Sequence, residues 1–417
     1  MKKVSTSEAN LERMFALIAK HMEVLKLNIF KPEWRLSLRT VLVLVAIGFM
    51  PILTAFSVNK YYEHLEIKVE CFTQACTGAQ VFIRSYFYLR QRDQCRQLAT
   101  EIRRQRISYG VNEHERMEQL FRRATERMLM LYRLMYAMYC GSFFFVLGPL
   151  IMPDSRKASL PLAFRIPYLP PDENLLYWCL NYLHHIFLIV VGIHHLAPID
   201  GIIVLALISI CTRISALELL LNELDGKITE SKWQQTEHLE PCLDRIIELH
   251  TDMKRFAELV SSTFEMHFFT IFSMICSIIC MCLNVIAGQP RNSIYPLLLA
   301  SVCQLFVVCL FGNVLLIVND RLPKSIYGIQ WYRLTVTQQK KILFLLANAQ
   351  TDIVMSAVFK PVNMTSFVAV GEKVITSDED HINYSYFIAG LSGILFVLHH
   401  TSLKRMHADE IYIDPNR

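Results

Sequence analysis

The chain lacks the short motifs that carry most enzyme chemistry. It has no HExxH, no GxSxG, no Walker A loop and no glycine-rich dinucleotide turn, and His114-Glu115 has no second histidine four positions on. Neither an enzyme nor a cofactor is expected, and no nucleic-acid partner. A metal site is not expected either. The pairs His184-His185 and His194-His195 are adjacent on a helix, so their side chains diverge by about 100° and read as polar packing residues. The start of the chain has no apolar core before about Val41, which argues against a cleaved signal peptide. Cysteines are scarce in the polar connections, where Cys95 and Cys242 lie. Cys71, Cys76, Cys140, Cys179, Cys276, Cys280 and Cys309 fall inside apolar runs, as small buried thiols would rather than a disulfide framework.

Apolar sequence, by contrast, is abundant. Hydrophobic residues make up 53% of the chain and the mean hydropathy is +0.31. The apolar residues gather in blocks close to the roughly 20 residues that cross a bilayer as a helix. The expected fold is an all-α polytopic membrane protein with seven transmembrane helices, a cytoplasmic N-terminus, an extracellular C-terminus and a helical cytoplasmic anchor bundle.

Charge sets the orientation. Lys2, Lys3, Arg13, Lys20, Lys26, Lys31, Arg35 and Arg39 precede the first span, Thr40 to Val58, and favour a cytoplasmic start. The second span, Ile67 to Leu89, contains Lys68, Glu70 and Arg84, which must sit near its ends or face protein. Arg90, Arg92, Arg96, Arg103, Arg104, Arg106, Arg116, Arg122, Arg123 and Arg127 follow, a basic connection that belongs inside. Met128 to Met152 is the third span. The loop from Pro153 to Asn174 is stiffened by Pro153, Pro161, Pro167, Pro170 and Pro171. Such a loop either lies back over the outer mouth of the helices or is a plain spacer.

The fourth block, Leu175 to Ile210, is the most informative. Asp200 stands about 38 Å of helix beyond Leu175, past a hydrocarbon core of about 30 Å, so its charge is expected at the inner surface. The apolar run then resumes from Ile202 to Ile208 and must bury its sides against protein. Ser215 to Asp225, with Gly226 as a helix stop, and Leu239 to Val260 offer apolar faces for this. They form either a bundle continuous with the membrane domain or a local coiled-coil hairpin. Phe264 to Ala287 is the fifth span and Tyr295 to Val318 the sixth. Ile342 to Phe359 is too polar for lipid and is assigned to the bundle, and Asn383 to His400 is the seventh span. The resulting divisions are 1–39 (cytoplasmic N-terminal region), 40–318 (six spans with cytoplasmic extensions at about 90–127 and 201–263), 319–362 (anchor segment), 363–400 and a tail at 401–417. On this topology the sequons at Asn363 and Asn383 are not glycosylated.

Several residues in this order carry a resemblance: Asp200 deep in a long fourth helix, Phe311-Gly312-Asn313 in the sixth, Ile326-Tyr327 before Trp331-Tyr332, Ala349-Gln350 before Phe367, and Tyr384-Ser385-Tyr386 opening the last helix. The chain resembles the insect odorant receptors over nearly its whole length. It departs from them in the charged segment Gly371 to His381, which intervenes before the Tyr-Ser-Tyr helix. The resemblance implies a tetrameric odour-gated non-selective cation channel in the plasma membrane of a sensory dendrite. It would be built with a co-receptor subunit, and each last helix would contribute to a central pore. Its ligand would be a small volatile in a cavity among the second to sixth helices.

Depth and helical spacing within that implied cavity select Phe72, Ala75 and Cys76 on the second helix, Ser142, Phe143 and Phe145 on the third, Tyr182 and His185 on the fourth, and Tyr295 and Leu299 on the sixth. Each has an ordinary core role as its alternative. Along about 383–400, Ser385, Ala389, Ser392 and Phe396 form one stripe that either lines water or packs against neighbouring helices. Competing classes are a G-protein-coupled seven-helix receptor, a gustatory-receptor-like channel and a solute transporter. The first lacks its Asp-Arg-Tyr and Asn-Pro-x-x-Tyr motifs here, and the transporter lacks an internal repeat of broken helices.

Overall fold

The computed structural model describes residues 5–31, 33–61, 65–111, 114–141, 160–233, 235–288, 294–351, 353–357 and 360–375. The described residues form α1 (Thr6–Val24), α2 (Leu38–Tyr61), α3 (Leu65–Arg90), α4 (Arg92–Ser108), α5 (Glu115–Cys140), α6 (Leu175–Glu230), α7 (Glu240–Gly288), α8 (Ile294–Gly328), α9 (Val336–Ala349) and α10 (Met364–Ile375). A short antiparallel hairpin, β1 (Ser356–Ala357) and β2 (Lys360–Pro361), stands between the last two helices.

Two very long helices organise the rest. α6 has 56 residues, α7 has 49, and a short turn joins them. At 1.5 Å per residue they run for ~84 and ~74 Å, far more than a bilayer needs. The end near their turn is the lower end here, and the end near Leu175 is the upper. Four of the described helices are long and apolar enough to cross a membrane: Leu38–Asn59, Leu175–Glu230, Glu237–Leu283 and Leu297–Arg333.

The largest core lies at the lower end. From Ile199 to Ile214, α6 is buried on nearly all sides, and α1, α4, α5, α7, α8 and α9 contribute to the same cluster. α1 is held there by its apolar face, Leu11, Met14, Phe15, Ile18 and Met22, whose spacing keeps one side of a helix inward. At its start, Ser5 accepts from the Glu8 amide, and the Ser7 amide and hydroxyl donate to the Glu118 carboxylate at 3.1 and 2.7 Å.

Several helices run beyond the spans expected from the sequence. Gly226 does not stop a helix. A single glycine costs only about 1 kcal/mol relative to alanine, and the buried face of Leu217, Leu221, Leu224 and Ile228 runs straight through it. Leu239 to Val260 and Phe264 to Ala287 are parts of one helix, α7. The helix that carries the third span begins at Glu115, where Met117, Phe121, Ala124 and Met128 already form a buried face. The helix of the sixth span, α8, continues past residue 318 to Gly328. The run Ile342 to Phe359 is not all helix: α9 ends at Ala349 and the hairpin follows. Asp200 is buried, and so is Arg84, its partner from α3.

Candidate functional site

At the upper end, the chain from Leu160 to Asn174 lies across α2, α3 and α6 as a strap. Four helix side chains hold its backbone. Gln74 Oε1 accepts from the Ala163 amide at 2.8 Å and Ser57 Oγ from the Arg165 amide at 2.8 Å. Asn181 Oδ1 accepts from the Ile166 amide at 2.7 Å, while its Nδ2 donates to the Leu169 carbonyl at 2.9 Å. His185 Nε2 donates to the Phe164 carbonyl at 3.1 Å. Prolines leave this segment fewer amides to pair internally, and the helices supply the partners. Phe164 is fully buried, packs with Met50 and Leu188, and lies 4.8 Å from the His185 ring.

The proposed ligand-binding residues are distributed around this end. Cys76 is buried against Met274, Ile278, Met281 and Cys282 of α7, with Leu297 and Leu298 of α8 alongside. Ala75 is half-buried beside it on α3. Tyr182 is buried and stacks on Trp178, with ring centroids 4.9 Å apart. His185 serves the strap. Phe72, Tyr295 and Leu299 are open, at 38%, 47% and 64% exposure, so they are not packed into the same core. Ser142, Phe143 and Phe145 lie outside the described residues, as do Ser385, Ala389, Ser392 and Phe396. Near Tyr182, Trp178 Nε1 and His184 Nε2 are buried with no hydrogen-bond partner among the described residues. Polar atoms in that condition are ready to meet a hydroxyl or carbonyl of a small guest.

Lower on the same helices is a polar centre that reading by spans missed. Arg84 Nη2 donates to Asp200 Oδ1, and the Tyr139 hydroxyl donates to Asp200 Oδ2. Gln304 Nε2 reaches the Tyr139 hydroxyl at 3.3 Å, and His195 Nε2 lies 2.7 Å from Ser85 Oγ. Four helices, α3, α5, α6 and α8, are thereby joined through side chains. The signal was available as two opposite charges, Arg84 and Asp200, each inside an expected span and costly in hydrocarbon unless paired. Beside this centre, an apolar crevice of about 330 Å³ opens between α3 and α7, among Phe82, Tyr86, Phe87, Met266 and Phe269.

Gly312 on α8 explains the Phe-Gly-Asn signature in physical terms. A Cβ there would stand 1.8 Å from the Val362 carbonyl oxygen, so only glycine lets the backbone after the hairpin come this close. Asn363 then caps α10 by accepting from the Ser366 amide at 2.9 Å, and Met364 and Phe367 pack on the Leu305 and Cys309 side of α8. The rings of Phe306 and Phe367 meet edge to face at 5.7 Å. α10 therefore leaves α8 in a defined direction.

A family model, the 7tm odorant receptor, matches residues 68–373. In fold the chain is similar to the insect olfactory receptor OR5 from Machilis hrabei in complex with eugenol, with a TM-score of 0.69 and 14% identity over 92% of this chain and 99% of that one. A second structure of OR5 gives a TM-score of 0.69 and 14% identity over 88% and 97%. At such identity the likeness is one of fold. No curated protein matches the chain in sequence.

Proposed function

The chain belongs to the 7tm odorant receptor family, and from that premise we propose that it is the odour-binding subunit of a ligand-gated, non-selective cation channel, assembled with a co-receptor subunit in the plasma membrane. The observation that carries this reading is the strapped upper end. Met50 of α2 and Leu188 of α6 pack with Phe164 there, a second apolar cluster joins α3, α7 and α8 around Cys76, and Trp178 and His184 carry buried polar atoms with no hydrogen-bond partner among the described residues. A small volatile gains most of its affinity by burying its own surface in such a place, and a few polar groups set its orientation. Phe72, Ala75, Cys76, Tyr182, His185, Tyr295 and Leu299, with Ser142, Phe143 and Phe145, are the residues assigned to it. OR5, a protein of the same fold, is bound to eugenol, which supports a ligand of comparable size here.

α8 is the natural transmitter. Its upper turns carry Leu299, its middle touches α10 through Phe306 and Phe367, and in sequence α10 precedes Ser385, Ala389, Ser392 and Phe396. A guest that prefers one tilt of α8 would shift the pore equilibrium by its difference in affinity for the two states. Assembly has its own support at the lower end, where Tyr327, Tyr332, Val336, Leu343 and Phe344 are exposed. Apolar residues clustered in this way mark a protein interface.

Expression with and without a co-receptor, recording current under a panel of volatiles, tests the reading. Odour-evoked current is expected only in the pair. Current from this chain alone would remove the heteromer, and silence in both conditions across the panel would remove the channel. Epitope tags at each terminus, tested before and after permeabilisation, are expected to place the N-terminus inside and the C-terminus outside.

A further inference from the structure

One face of α5 changes character abruptly. At 100° per residue, positions 116, 123, 127, 130, 134 and 138 all fall within about 40° of one line along the helix. All six are exposed, and the lower three are Arg116, Arg123 and Arg127 while the upper three are Met130, Leu134 and Met138. The switch takes less than one turn.

The three arginines form no ion pair among the described residues, and the nearby acids are engaged elsewhere. Glu118 is bonded to Ser7, Glu126 lies 3.8 Å from Arg122, and Glu115 accepts from Gln119 at 3.3 Å. On the facing helix, Glu218 is held by Arg321 at 2.6 and 3.2 Å. Arg116 and Arg123 also line a groove of about 250 Å³ between α5 and α6, where Gln119, Ser215 and Asn222 add neutral polar groups and the one acid in the lining is Glu218, already engaged by Arg321.

A fork of guanidinium donors suits a phosphate, and Arg side chains at a hydrocarbon boundary reach toward the headgroups. The geometry points to a binding site for the phosphate-bearing headgroup of an anionic membrane lipid in the α5–α6 groove, with the lipid's chains along Met130, Leu134 and Met138. A soluble anion would use only the lower half of the stripe. The exposed apolar half, continuing the same line upward, is what selects a lipid. This site is separate from the strapped upper end and does not depend on an odour ligand.

The test uses the purified full-length chain in nanodiscs of phosphatidylcholine doped with phosphatidylinositol bisphosphate, with retained lipid counted by native mass spectrometry after detergent washing. Wild type is expected to retain the inositol lipid over phosphatidylcholine. Each arginine removed should weaken retention about fivefold, so the combined R116Q, R123Q and R127Q variant loses roughly a hundredfold. Thermal stability should be unchanged, because all three side chains are exposed. R104Q, which removes an exposed arginine from α4 away from the stripe, should retain lipid like wild type. Undiminished retention in the combined variant, or equal loss in R104Q, overturns the site. Competition by soluble inositol bisphosphate as effective as that by the whole lipid overturns the lipid and leaves a free phosphate compound as the occupant.

Discussion

Two pairs of apolar helices in this molecule meet opposite fates. In α6 and α7, 72% of the most apolar stretch is buried inside the chain, whereas in α2 and α8 the share is 33%. Composition does not separate them, since their mean hydropathies lie between 2.1 and 2.5. What separates them is company. The most apolar stretches of α6 and α7 are enclosed by neighbouring helices, whereas α2 packs on one side and α8, though its lower turns enter the lower core through Leu315, Leu322 and Ile326, is one-sided above, so that Leu42, Phe49, Ile52, Leu310 and Ile317 are exposed. Hydrophobicity thus identifies which segments avoid water, and tertiary partners decide whether lipid or protein receives them. The lower bundle has one continuous core. The upper half is built of several small clusters, an arrangement better suited to shifting when a guest enters.

The strongest way to break that contrast is at the polar centre between the halves. Arg84→Leu leaves Asp200 buried without its cation and should destabilise the protein by about 3–5 kcal/mol, whereas Arg84→Leu combined with Asp200→Leu should recover most of the loss. Thermal unfolding of the purified protein reads both. Gly312→Ala comes next, at about 1–3 kcal/mol, because the Val362 backbone must move aside. Hydrogen exchange should rise across residues 353–362 and stay unchanged in α6. Asn181→Ala releases the strap from two of its bonds and should loosen residues 163–169 locally by about 1–2 kcal/mol, with little effect on the lower bundle.

A separate effect is with pH and belongs to the lower bundle. Burial, with a smaller contribution from the neighbouring Lys254, pushes the pKa of His250 down to about 4. Burial, then His194 and Lys20, likewise brings His21 to about 4. Unfolded histidine titrates near 6.5, so between roughly pH 6.5 and 4 the unfolded chain takes up protons that the folded chain refuses. Stability should fall as pH drops through that window and level off below about 4. His250→Gln should flatten the slope in a melting-temperature series.

Much of the helix layout was legible from apolar runs and charge. The spans beginning at Thr40, Ile67 and Leu175 correspond to α2, α3 and α6, because each has a long apolar stretch with polar ends. Boundaries inside continuous helices were not legible. Gly226 and the polar link between Val260 and Phe264 look like stops only when the buried faces on either side are ignored. Long-range pairing was hidden as well: Arg84 reads as a charge to be kept near a helix end until Asp200, 116 positions away, is found beside it. The strap depends on Gln74 and Asn181, side chains whose sequence context says nothing of the backbone amides they reach. Of the residues assigned to the candidate site, the sequence could not tell that His185 is engaged by the Phe164 carbonyl or that Phe72 and Leu299 lie open.

The central claim is that the upper half receives the odour beneath the strap. The most direct measurement is a set of current dose-response curves for several volatiles, with the co-receptor present, in wild type and in Tyr182→Ala. The account predicts half-maximal concentrations that shift by different factors for different ligands while maximal current is kept. Equal loss of response to every ligand, or curves that superimpose on wild type, would contradict it.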